Sequence, residues 1–252
     1  MSGDVEEMFL RYTIALFFLL CCTLSVAHET INNTSDNTVV LGVVEFPPLV
    51  IRNNENNTCY GKAVTISTSL LNDMGYKVRV VCPPPARLFE SLRTGKVDLT
   101  INVKGTTALD NNVTFVEKPF SYLSLVLLTN PKLESDKTVS AIRGYDYEGM
   151  RKELLEDNYI IFDMANSSDA IQLFQFGRTT HLMTYEAPYD YYVQQSPDSI
   201  TDHIVSKELN IPTYFAISKA SKLSHQLQQS FSQLFSSSDA ATIIENTSKT
   251  NK

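Results

Sequence analysis

The fold is decided by residues 76–106, YKVRVVCPPPARLFESLRTGKVDLTINVKGT. Lys77 to Val81 is a short apolar run rich in valine, which favours a strand. Three prolines stop it, and Pro85 suits the first turn of a helix, where its missing N–H is not needed. Leu88, Phe89 and Leu92 recur at helical spacing and predict one apolar face. Gly95 then fits a left-handed C-terminal cap. Residues 97–103 predict a second buried strand. Strand, helix, strand over this length is one βαβ unit, so the two strands are expected to run parallel with a right-handed crossover. Ligands in open parallel sheets sit beyond the carboxyl ends of the strands. Here those ends are Cys82 with the proline run, and residues 102–107.

Working outward, residues 39–45 (VVLGVVE) predict the first strand, ended by Phe46-Pro47-Pro48. The segment 53–61, NNENNTCYG, reads as a loop leading to a helix over 62–74. Beyond the central unit a short helix is expected from Thr106 or Thr107, then a long apolar strand over 122–129. After Pro131 the plan repeats. A strand over 138–142 leads into the turn Arg143-Gly144-Tyr145-Asp146 and a helix over 147–156. A strand over 159–162, a helix over 168–176, a strand over 181–184 and a Tyr-rich helix over 187–194 follow. Separate strands over 204–209 and 213–218 and an amphipathic helix over 223–235 come next, with a further short helix expected within 236–252. The joining segments, 122–129 outward and 211–218 back, are β-rich. Two similar α/β halves joined in this way predict a two-lobed body with a cleft and a two-strand hinge. Lobe 1 is expected to take 39–128 with 211–246, lobe 2 129–210, and a polar tail 247–252.

The apolar run 13–26 is too short to span a bilayer comfortably. Arg11 precedes it, and Ser25-Val26-Ala27 has the small-x-small pattern of a cleavage site. Residues 1–27 therefore read as a signal peptide, cut after Ala27, with a periplasmic or secreted destination; an uncleaved anchor is the alternative. The acidic opening MSGDVEE is unusual for such a segment, and Met8 is the better start. Residues 28–38 are polar, Asn-rich and expected to be disordered. Removing 1–27, with three acids and one arginine, takes the net charge from -7 to -5. That gives no electrostatic case for nucleic acid. N-x-S/T triplets start at Asn32, Asn33, Asn56, Asn112, Asn166 and Asn246; they are acceptors only in a eukaryotic secretory route.

Cys59 and Cys82 remain after the signal peptide, an even pair in an oxidising compartment. Both fall at the carboxyl edge of the expected sheet. A disulfide there would stabilise by about 3 kcal/mol in the chain-entropy model; two separate buried thiols are the alternative. No metal-ligand spacing, glycine-rich phosphate loop or nucleophile elbow is present, and no cofactor is expected.

The segments VVEFPPLVI (43–51), the central PPPARLFESLRTGKVDLTIN, KPF (118–120), IRGYDYEGMR (142–151) and GRTTHLMTYEAPYDYY (177–192) resemble family 3 extracellular solute-binding proteins. The resemblance spans about 39–235, and Gly95-x-x-Asp98 is its most specific piece. It implies the type II periplasmic binding fold, α/β, each lobe a mostly parallel sheet with flanking helices. It further implies a monomeric ligand-capture subunit of an ABC importer for a small polar, amino-acid-like solute, with no catalysis.

The same resemblance implies site residues. Phe46 matches an aromatic that covers the ligand, or is a core aromatic beside the hinge. Asn102, Gly105 and Thr106 match a loop that offers amide and hydroxyl groups to a carboxylate. The arginine usual a few residues later is absent from Thr107 to Asp110, which puts a standard α-amino acid in doubt. Arg87 is the expected substitute, or else a solvated helix arginine. Arg143 and Tyr145 lie in a strand-end turn suited to an anion, or Arg143 pairs with an acid. Glu186 matches the place of an acid for the ligand's cationic group, with Tyr185 beside it; otherwise Glu186 is a helix N-terminal acid. Two other functions stay open. One is an enzyme of this fold, similar to cyclohexadienyl dehydratase, with Glu186 as general acid or base and Arg87 and Arg143 holding carboxylates. The other is a ligand-sensing module for a membrane partner.

Overall fold

The computed structural model describes residues 37–134, 136–196 and 202–236. The expected signal peptide, most of the N-terminal tail and everything beyond 236 lie outside them. Thr38, expected in the tail, already opens the first strand.

The first half contains β1 (Thr38–Gly42), β2 (Ile51–Asn53), β3 (Thr58–Tyr60), α1 (Lys62–Asp73), β4 (Lys77–Val81), α2 (Pro85–Arg93), β5 (Leu99–Val103) and β6 (Val113–Phe115). Pro85 does occupy the first turn of α2, and Leu88, Phe89 and Leu92 are its buried face. The expected short helix is a 3-10 turn, Thr107–Leu109. β7 (Ser121–Thr129) crosses to the second half: β8 (Thr138–Ile142), α3 (Met150–Glu156), β9 (Ile160–Met164), α4 (Ser167–Gln175), β10 (His181–Tyr185) and α5 (Glu186–Gln195). β11 (Ile204–Ser218) returns, and α6 (Ser224–Ser236) follows.

One sheet runs through both halves in the order β4-β1-β5-β11-β7-β10-β8-β9, with β6 on β11. β4 and β5 both pair β1 in parallel. The two strands of the central unit are thus parallel, as expected, with β1 inserted between them. The second half mirrors this, β8 lying between β10 and β9 in parallel. β7 and β11 run antiparallel to their neighbours and to each other along the middle.

Two expectations change. Residues 53–61, read as a loop, hold β3 and the end of β2, which pair as a hairpin. Hydropathy carries no detectable period there, because the two strands have three residues each and Cys59 is their one fully buried residue. The expected pair of strands over 204–218 is one strand. β5 pairs β11 only from Thr213 onward. Pro212 therefore lies where one side of the strand has no neighbour, a place that tolerates a missing N–H.

The core follows the sheet. Val39, Leu41, Leu71, Leu99, Phe215 and Phe231 pack on one side of the first half. On the other side Leu88, Leu92 and Val97 join a cluster that continues through Leu125 and Ile211 to Tyr145, Tyr147, Met183 and Tyr185. The apolar interior is therefore continuous from one half to the other.

Candidate ligand-binding cleft

Four strand ends deliver side chains to the seam between the halves. Beyond β1, Phe46 is held by a bridge to Val50, with N–H to O distances of 2.8 Å in both directions. Tyr185 is the last residue of β10 and precedes α5. The two rings meet edge to face.

Asn102 lies in β5. Its Oδ1 accepts from the Val103 N–H at 2.8 Å and from Thr106 Oγ1 at 3.1 Å. That fixes the amide with its nitrogen free to face the other half, where it meets the Tyr145 phenol. Burial pushes the Tyr145 phenol up, and the Asn102 hydrogen bond opposes that shift.

The turn carrying Tyr145 is strained. Tyr147 (φ 56) and Glu148 (φ 53) are consecutive left-handed residues with side chains. Such residues cost about 1–3 kcal/mol each and persist only where their surroundings fix them. Here the Tyr147 hydroxyl accepts from the Ile142 N–H at 2.7 Å, and Asp146 accepts from the Gly149 N–H at 2.7 Å. Arg151 donates to the carbonyls of Tyr145 at 2.7 Å and Ile142 at 2.8 Å. It also pairs with Asp163 at 2.9 Å. The result places the Tyr145 and Tyr185 rings on either side of Tyr147, at 5.9 and 6.0 Å.

These residues surround a cavity of about 80 Å³. Val43, Phe46, Leu49, Ile101, Phe120 and Leu123 wall it, and Asn102, Ser121, Tyr145, Tyr185 and Thr213 supply its polar atoms. Burial raises the Tyr147 and Tyr185 phenols as well. Among the described residues no charged side chain lines the cavity. No group of three or more His, Cys, Asp or Glu among them could hold a metal ion.

Of the residues singled out in the sequence, Phe46, Asn102, Tyr145 and Tyr185 are brought together. Thr106 stands one layer behind, bonded to Asn102. Arg87, Arg143 and Glu186 do not line the cavity. Arg87 is exposed in a separate groove of about 430 Å³ with Arg52, Arg79 and Lys96. The reason is helical phase: Leu88, Phe89 and Leu92 take the buried face of α2 and turn Arg87 away. Arg143 is exposed and donates to the Asp163 carbonyl at 3.3 Å. Glu186 opens α5 as an exposed first-turn acid, because Tyr185 takes the inward position. Cys59 and Cys82 are joined, with Cα atoms 5.8 Å apart. Arg52 donates to the Cys82 carbonyl at 2.7 Å, tying the β2–β3 hairpin to the end of β4.

Residues 39–247 match the profile of the bacterial extracellular solute-binding proteins, family 3. The chain belongs to that family. Its fold is that of family 3 proteins of known structure. An ancestral arginine-binding protein bound to arginine superposes with a TM-score of 0.63 at 19% identity, covering 83% of this chain and 97% of that one. An ancestral amino acid-binding protein, a precursor of cyclohexadienyl dehydratase, gives 0.61 at 21% identity over 85% and 96%. A histidine kinase sensor domain similar to periplasmic binding proteins gives 0.64 at 14% identity over 83% and 95%. No curated protein shows a significant sequence match.

In this family 3 protein the cavity also uses Ser121, Leu123 and Thr213, which the sequence reading missed. A signal was present. Ser121 and Leu123 alternate along the crossing strand β7 and so share one face. Only the position of that strand at the seam makes the face a cavity wall.

Proposed function

We propose that this protein works outside the cytoplasm and captures a small polar solute of amino-acid size between Phe46 and Tyr185. One observation carries this reading. The carboxyl ends of strands from both halves supply the walls of a single cavity, Phe46 and Asn102 from one side and Tyr145 and Tyr185 from the other. A cavity walled in this way is entered when the halves part, and β7 and β11 are the elements about which they turn. The halves act as lobes, 39–128 with 211–246 and 129–210, after removal of 1–27 near Ala27. The monomer then hands its cargo to the permease of an ABC importer.

Capture without chemistry is the reading the site favours over the enzyme alternative. The titratable groups lining the cavity are phenols, and burial holds them protonated. General acid–base work at neutral pH needs a group whose pKa lies near the operating pH.

The test is a thermal-shift screen of polar amino acids, polyamines, small dicarboxylates, aromatic acids and neutral aromatics. A bound solute raises Tm as its concentration rises. If no class does so, solute capture in this cleft is overturned.

A further inference from the structure

We infer that the solute meets this cleft without formal charge: the site is built for a neutral, flat ring bearing a hydroxyl or carbonyl, not for a zwitterionic amino acid. The inference rests on the reading of the cleft as the capture site and narrows what it captures.

The first ground is electrostatic. A free amino acid buries a carboxylate and an ammonium, and each needs an opposite charge or several strong donors or acceptors when water is removed. No charged side chain among the described residues lines the cavity. The cations nearby are committed elsewhere. Arg151 holds the strained turn and pairs with Asp163. Lys104, just past β5, lies over the Tyr214 ring at 4.0 Å. Arg52 faces Glu45 at 3.7 Å and also bonds to Asn57 and the Cys82 carbonyl. The phenols do not supply a negative charge for an ammonium, because burial raises all three. The 3-10 turn after β5 has three residues, too few to bring a helix dipole to a carboxylate.

The second ground is what the cavity does offer. Phe46 and Tyr185 present aromatic surfaces in an edge-to-face arrangement that an inserted ring would extend. Tyr185 is 2% exposed and lines the cavity. A phenol at a cavity wall is completed by a hydrogen-bond partner on the ligand, so it marks where a ligand oxygen belongs. The Asn102 amide and the Tyr145 phenol stand on the opposite side as a second neutral contact.

Two matched pairs of probes isolate the charge: p-cresol against L-tyrosine, and tryptophol against L-tryptophan. Each is titrated calorimetrically into the purified mature protein. The neutral member of at least one pair is expected to bind at least about tenfold tighter than its amino acid, since a buried unpaired charge costs more than one lost hydrogen bond. Tyr185→Phe, which keeps the ring, is expected to weaken the neutral probe about fivefold to tenfold. Tyr145→Phe serves as a second variant with the same expectation. If the amino acid of each pair binds as tightly as its neutral partner, the inference is overturned while solute capture stands. If neither member of either pair binds, the inference is overturned, and the broader screen decides the capture reading separately. Unchanged affinity in both phenylalanine variants would likewise overturn it.

Discussion

The ring centroids of Phe46 and Tyr185 lie 5.3 Å apart with their planes at 62°, an edge-to-face pair joining one half of the sheet to the other. Such pairs contribute about 0.5–1.5 kcal/mol beyond the area they bury. Phe46 is half-buried, so Phe46→Ala is expected to lower unfolding stability by about 1–2 kcal/mol, less than truncation of a full core aromatic. Urea denaturation measures this. A midpoint equal to that of the parent would show that the contact contributes nothing.

Gly95 and Asp98 clamp the turn before α6. A Cβ on Gly95, whose φ is 70°, would lie 2.3 Å from the Ala220 carbonyl oxygen. The Asp98 carboxylate accepts from the Val40 N–H at 2.7 Å and from Ser221 Oγ at 2.5 Å. Asp98→Ala leaves both donors without their partner inside the protein and is expected to cost about 2–3 kcal/mol. Gly95→Ala should cost more than about 1 kcal/mol through left-handed strain alone. Parent-like denaturation of either variant would refute the clamp.

The Cys59–Cys82 disulfide holds the hairpin of β2 and β3 against the end of β4. Its reduction is expected to remove about 3 kcal/mol of stability. The oxidised protein should show no free thiol when denatured without reductant. Two titratable thiols, or an unfolding midpoint insensitive to reductant, would contradict this.

His181 is buried beneath Tyr159, with Nδ1 2.8 Å from Thr180 Oγ1 and 3.2 Å from the Thr138 carbonyl. Burial lowers its pKa; the Thr138 carbonyl and Asp136 oppose that shift. A folded-state pKa below the unfolded value means that the unfolded chain binds the proton more readily. The stabilisation is therefore complete above the unfolded pKa of about 6.5 and is lost as pH falls through it toward the folded value. Asp136, held below the usual carboxylate range by its hydrogen bond from Thr138, adds a second loss only below about pH 4. Stability measured between pH 8 and pH 5 should fall on acidification, and His181→Gln should flatten that fall. An equal slope in the variant would assign the effect to other groups.

Much of this fold is legible in local chemistry. Pro85, Leu88, Phe89, Leu92 and Gly95 mark α2 and its end because each acts through its own backbone or through a repeat of one turn. Phe46, Asn102 and Tyr185 can be singled out because the resemblance places them at strand ends, and strand ends are local. Glu186 is expected in the cleft from the family position it matches and Arg87 from its place in the first turn of its helix, but neither says which way a side chain turns. The packed faces of α2 and β10 decide that, and each puts an apolar or aromatic neighbour inside. The β2–β3 hairpin escapes the sequence because two three-residue strands with one buried residue, Cys59, are too short to show a period. The walls from β7 and β11 escape because a strand's alternation reveals its two faces without saying what either one covers.

The path of β11 sets a timetable for biogenesis. Its residues 213–217 are the inner neighbour of β5, so the first half lacks a central strand until the whole second half has been made. The second half draws β7 to β10 from one continuous stretch and can assemble earlier. The opening half therefore cannot close its sheet until its returning strand arrives, whatever the second half has already built.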